Sequence, residues 1–113
     1  MATYTLEYFT GSTNGVPVAV TSTNSAGATA FHTTSTNKEE LFVYAYNNHT
    51  VDVEIGVDFG STTSPVRVSI PAKAGPVVVI PGWPLRNGRT VAAFCSTVST
   101  SALFVAGHVL KVT

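Results

Sequence analysis

Six carboxylates, three histidines and one cysteine are the side chains of this sequence best suited to chemistry. Asp52, Glu54 and Asp58 fall at alternating positions of a strand-like run, so they share one face. Asp52 and Glu54, at i and i+2, would lie roughly 7 Å apart along the strand. That separation could serve an inverting glycosidase. Alternation alone also places acids on a solvated sheet face, and no aromatic platform flanks these to hold a sugar, so they read as surface charge. His32, His49 and His108 lie on separate segments, without the close ligand spacing of a zinc site. His49 is expected to cap a turn, and His32 and His108 to sit on strand faces. Cys95 lies in the apolar run Val91-Ala92-Ala93-Phe94-Cys95, where a thiol is a core residue. One cysteine excludes an internal disulfide framework. Among 17 Thr and 10 Ser there is no Gly-x-Ser-x-Gly elbow, and the sequence has no Gly-rich phosphate loop. The expectation is no enzyme, no metal and no cofactor.

One segment is composed for contact: Ile80-Pro81-Gly82-Trp83-Pro84-Leu85-Arg86-Asn87-Gly88-Arg89. It reads as a proline-stiffened loop over residues 81–89 carrying the chain's only tryptophan. Trp and Arg are enriched at binding hot spots, and stiffness reduces the entropy lost on docking. Trp83 and Leu85 are expected to fill a partner's apolar pocket, with Arg86 and Arg89 at its rim. The competing expectation has Trp83 plugging one end of the core.

The elements that must position these residues are strands. Residues 51–59 alternate Val51, Val53, Ile55, Val57 and Phe59 against polar residues or Gly, the mark of a strand with one wet face. The same period marks residues 2–9, 16–20 and 66–70. Residues 41–46 and 77–80 are apolar on both faces, as in strands covered twice. Residues 90–99 and 102–112 supply two more. Asn47-Asn48 and, more strongly, Asn87-Gly88 predict tight hairpins. Residues 21–27 and 81–89 are longer than hairpins need, which favours Greek-key or jelly-roll connections over an up-and-down barrel. The fold class is therefore all-β: one antiparallel β-sandwich over residues 1–113, of jelly-roll or Greek-key type, with eight or nine short strands.

Composition narrows the function classes. Lys plus Arg equals Asp plus Glu at six each, and charged residues make up 11%, against roughly 25% in a typical domain. Disorder goes with high net charge and low hydrophobicity, so it is not expected here. Six scattered cations make no footprint for nucleic acid. The start of the chain lacks the basic and apolar regions of a signal peptide. No apolar run approaches the ~18 residues of a membrane helix.

With the segments Gly82-Trp83-Pro84-Leu85-Arg86-Asn87-Gly88, Val91-Ala92-Ala93-Phe94-Cys95-Ser96 and Leu103-Phe104-Val105-Ala106-Gly107-His108-Val109 in order, the last two-thirds of the chain resembles small virion structural proteins of tailed bacteriophages. Asn47-Asn48-His49-Thr50-Val51 before an acidic alternating strand is similar to the same group. The resemblance implies a β-sandwich that decorates or cements a capsid, a homotrimer contacting the major capsid protein, located in the virion. It transfers no functional residues. Low charge fits a surface buried against neighbours. The alternative function is a tail or fibre module binding a carbohydrate or receptor, with Trp83 as a stacking platform.

Overall fold

The computed structural model describes residues 3–60, 65–73, 75–95 and 103–113. Two antiparallel sheets face each other. The strands are β1 (Tyr4–Glu7), β2 (Val18–Ala19), β3 (Thr29–Thr33), β4 (Glu39–Asn47), β5 (Val53–Asp58), β6 (Val66–Ile70), β7 (Val77–Leu85), β8 (Thr90–Cys95) and β9 (Leu103–Val112). One sheet runs β1-β9-β4-β7, with β2 also paired to β9. Since β1 covers residues 109–112 of β9 and β2 covers residues 104–105, the two short strands share one edge. The second sheet runs β3-β8-β5-β6. The chain changes sheet at every connection except β1–β2 and β5–β6, which is jelly-roll topology. The helical turn Ser25–Gly27 lies in the long crossing from β2 to β3, capped by the Asn24 side chain, which accepts from the Gly27 N–H at 2.9 Å.

Period two builds the core. Leu41, Val43 and Ala45 of β4 face Val53, Ile55 and Val57 of β5 across the sandwich, with Val91 and Ala93 of β8 and Val105 and Val109 of β9 completing it. Bulges break the period where neighbouring residues must both turn inward. Between Ala30 and His32 the β3–β8 register shifts by one residue, and Phe31 and His32 are both buried. Phe31 meets Phe9 edge-on at 5.0 Å. A second shift, opposite Val43 and Tyr44, does the same for Val79 and Ile80.

Several expectations are corrected. Of the loop expected over residues 81–89, only residues 86–89 connect strands: Pro81, Trp83, Pro84 and Leu85 belong to β7 and pair with β4, with Gly82 bulged between them. Proline is tolerated there because β7 is the outermost strand of its sheet, with one side free of a ladder. Gly82, at φ 108°, takes up a further register shift. Asn47-Asn48 makes no hairpin, because β4 and β5 lie in different sheets. Asn87-Gly88 does form a turn with positive φ at both residues, but it joins β7 to β8 across the sandwich. Its N–H groups donate to the Ser35 carbonyl, at 2.9 and 3.2 Å. Nor is β4 covered twice: its residues alternate between buried and half-exposed along its length. The expected strand 90–99 is seen as Thr90–Cys95; residues 96–102 lie outside the described residues.

The crossing from β4 to β5 is held by Asn47, which is fully buried. Its Nδ2 donates to the carbonyls of Val51, Ile70 and Pro71 at 2.9, 3.2 and 3.2 Å, and its Oδ1 accepts from the His49 N–H at 2.8 Å. His49 in turn accepts from the Val51 N–H through Nδ1, the turn-capping role expected of it. Asn47→Ala leaves buried carbonyls unsatisfied and should lower unfolding stability by roughly 2–3 kcal/mol. Asn47→Asp should do no better, since a carboxylate cannot donate to those carbonyls. Urea denaturation of both variants measures this.

Candidate binding surface

The polar groups that could do chemistry are held by separate structural contacts. Asp52 precedes β5 and accepts from the Ala72 N–H at 2.8 Å. Glu54 bonds Arg67 of the neighbouring strand at 3.1 Å. Asp58, nearly buried, accepts from the Ser25 hydroxyl at 2.8 Å. Asp52 thus falls outside the strand, and Asp58 is buried instead of lying on the solvated face expected for it. Cys95 is buried in β8. Among the described residues, no three His, Cys, Asp or Glu side chains come together in a group able to hold a metal.

A cluster missed in the sequence joins His32 of β3 to Glu39 of β4. The side chains are buried and 2.6 Å apart. The His32 Nδ1 accepts from the Thr10 N–H at 3.1 Å, so the proton lies on Nε2 and is donated to Glu39 Oε1. Glu39 Oε2 accepts from the Ser35 N–H at 2.6 Å. Such a carboxylate–imidazole pair can orient a catalytic base, but here the ring's other nitrogen is taken by a backbone donor. The cluster acts as a clip among the N-terminal segment, β3 and β4. The only signal in the sequence was a His and a Glu seven residues apart, a spacing with no meaning until the β3–β4 connection folds back.

The proline-rich strand presents a mixed surface. Trp83 is 47% exposed and stacks on Phe59 at 5.2 Å with ring planes 12° apart. Phe59 follows β5 in the other sheet, so the ring pair bridges the two sheets. Leu85 packs against this chain's own core. Arg86 is exposed, and the exposed Arg89 lies beside Gly60.

The broadest unexplained feature is the outer face of the β1-β9-β4-β7 sheet. Residues opposite each other in an antiparallel pair point to the same side. Phe42 lies opposite His108, Tyr44 opposite Ala106 and Tyr46 opposite Phe104, all half-exposed and facing away from the core. Phe42 stacks on His108 at 4.9 Å and Tyr46 on Phe104 at 5.1 Å. On the flank, Tyr4 and Leu6 of β1 are 63% and 65% exposed. Glu40 is the one charged side chain among the outward-facing paired residues. A cleft of about 660 Å³ opens where this face meets the β1 edge, lined by Leu6, Glu7, Tyr8, Asn14, Gly15, Gly107 and His108.

The opposite sheet differs in kind. Its outer face carries Glu54, Asp58, Arg67 and Ser69, by the same pairing rule. Its large aromatic, Phe94, is 2% exposed. The Phe94 ring fills the space over Gly56, where a Cβ would come within 2.2 Å of it, and the Arg67 guanidinium lies 5.5 Å above its centre. One sheet covers its outward aromatic internally; the other leaves its aromatics uncovered. The apolar outward positions of residues 41–46 were visible in the sequence, but the sequence did not show that they lack a cover.

Compared with protein-family models, curated proteins and solved structures, the chain finds no match. Among the described residues, no helix is long and apolar enough to cross a membrane.

Burial pushes the Glu39 carboxyl up, but hydrogen bonds from the Ser35 backbone and hydroxyl and from His32 outweigh it, holding the group below its ordinary 4.5. A carboxyl depressed by folding stabilises above its unfolded pKa, and that contribution disappears as pH falls through the folded value. Glu39→Gln should therefore cost about 2 kcal/mol at neutral pH, and the gap from the parent protein should close below about pH 4.5. Denaturant melts of both proteins from pH 7 to 3 check this. Trp83→Ala removes a ring that is only half-buried, so it should cost roughly 1–2 kcal/mol of folding stability. Trp83→Phe, which keeps the stack on Phe59, should recover much of that in thermal melts.

Proposed function

We propose that this chain is a non-enzymatic structural subunit of a bacteriophage virion, a decoration or cement protein that stabilises the head by burying surface against other copies and the major capsid protein. The observation that carries this reading is the contrast between its outer faces. Isolated soluble proteins rarely leave a broad contiguous apolar face in water, and a subunit fixed in an assembly has neighbours to cover one. The jelly roll is an architecture used by capsid domains, and the resemblance of the last two-thirds of the sequence points to the same setting. The end of the sandwich carrying Trp83, Arg86 and Arg89 is a second contact, directed at the capsid, with the uncovered part of Trp83 as its apolar anchor. Leu85, already packed on its own core, supports that anchor from beneath.

Immunogold electron microscopy of phage particles from the source culture, with an antibody raised against the chain, tests the reading. Gold on heads, lost when the chain is absent from the particles, is the expected result. Gold confined to tails or fibres moves the assignment to the carbohydrate- or receptor-binding module. Unlabelled particles overturn the virion assignment.

A further inference from the structure

We infer that the outer face of the β1-β9-β4-β7 sheet packs against the same face of a second copy of this chain, giving a closed two-fold pair. This rests on the proposed assembly role and specifies which surface the copies share.

Area is the first argument. The sheet's central strand, β4, has nine residues; at ~3.3 Å per residue and ~4.8 Å between strands, four strand positions make a footprint of roughly 600 Å². Two such faces bury about 1,200 Å² together, the lower end of stable, specific interfaces. A sheet face is covered by one other sheet face, at the ordinary ~10 Å packing distance of a sandwich. A trimer would need two different patches on each copy, and the opposite sheet offers no second apolar one.

Charge distribution is the second argument. In a two-fold pair the middle of the patch meets itself, so like charges there would be costly. The middle here is Tyr44 beside Ala106, both uncharged. Glu40, the lone carboxylate, lies at one end of β4. With the two copies of β4 antiparallel, the Glu40 carboxylates fall at opposite ends of the seam, roughly 20 Å from the Tyr46 end of their own strand. The Tyr44 and Tyr46 hydroxyls can bond across the seam or to water at its rim. The pair then shows solvent the charged faces with Glu54 and Arg67, so it closes and does not propagate.

Sedimentation equilibrium of the purified full chain is the test. The parent protein should sediment at twice 11.8 kDa at tens of micromolar, and keep doing so in molar salt because no ion pair holds the seam. Tyr44→Glu should raise the dissociation constant at least tenfold, and Ala106→Lys, a smaller change at the same centre, should do likewise. Ser69→Glu on the opposite face should leave it unchanged. Circular dichroism of each variant separates loss of pairing from loss of folding. A monomeric parent, a trimer, or folded Tyr44→Glu and Ala106→Lys proteins that pair as tightly as the parent would overturn the inference. A monomer that still labels phage heads defeats the pair and leaves the virion role; a pair that labels no particle does the reverse.

Discussion

A sandwich whose chain changes sheet at nearly every connection must satisfy backbone polar groups at each crossing, and the rest of this fold depends on how that is done. Hairpins that stay in one sheet hand their N–H and C=O groups to the ladder. Crossings cannot, and an unpaired buried group costs as much as several good contacts bring. Asn47 meets this need between β4 and β5, reaching the carbonyls of Val51, Ile70 and Pro71. The Ser35 carbonyl does so for the turn after β7. The His32–Glu39 pair does so where β3 returns to β4, engaging the Thr10 and Ser35 N–H groups. His32, Glu39 and Asn47 are thus buried polar side chains engaged at junctions.

Once the crossings are held, the remaining irregularities serve packing. Bulges in β3 and β7 turn consecutive residues inward, so Phe31 with His32 and Val79 with Ile80 all contribute to the interior. Glycine appears where backbones or rings approach most closely. At Gly107, φ 145°, a Cβ would come within 1.9 Å of the Phe42 carbonyl oxygen. That approach lets β9 lie against the centre of β4 while the Phe42 ring stacks on His108 on the outer side.

The two outer faces then have different fates. Phe94 is housed over Gly56 and roofed by Arg67, so its sheet presents a polar exterior. The other sheet stacks its aromatics in cross-strand pairs but leaves them half in water. Cross-strand aromatic pairs stabilise the sheet they sit on, yet part of their apolar area remains exposed to water. Low overall charge removes the long-range repulsion that would keep two such faces apart.

Alternation of apolar and polar residues determined by itself that this chain is a set of strands, because a pleated backbone sends successive side chains to opposite sides. Residues 51–59 and 66–70 show this plainly, and the Asn87-Gly88 turn was equally legible, since few residues accept positive φ. Tertiary structure alone decided which strand lies beside which. Asn47-Asn48 looks like a hairpin locally, but its flanking strands find better partners far along the chain. Pro81 and Pro84 look like loop residues until β7 is placed at a sheet edge, where a missing N–H does little harm. The paired apolar faces of residues 41–46 were legible as faces, but their cover was not. Periodicity defines the two sides of a strand, whereas burial depends on what non-local packing sets against each. The exposed aromatic face therefore emerged only from the fold.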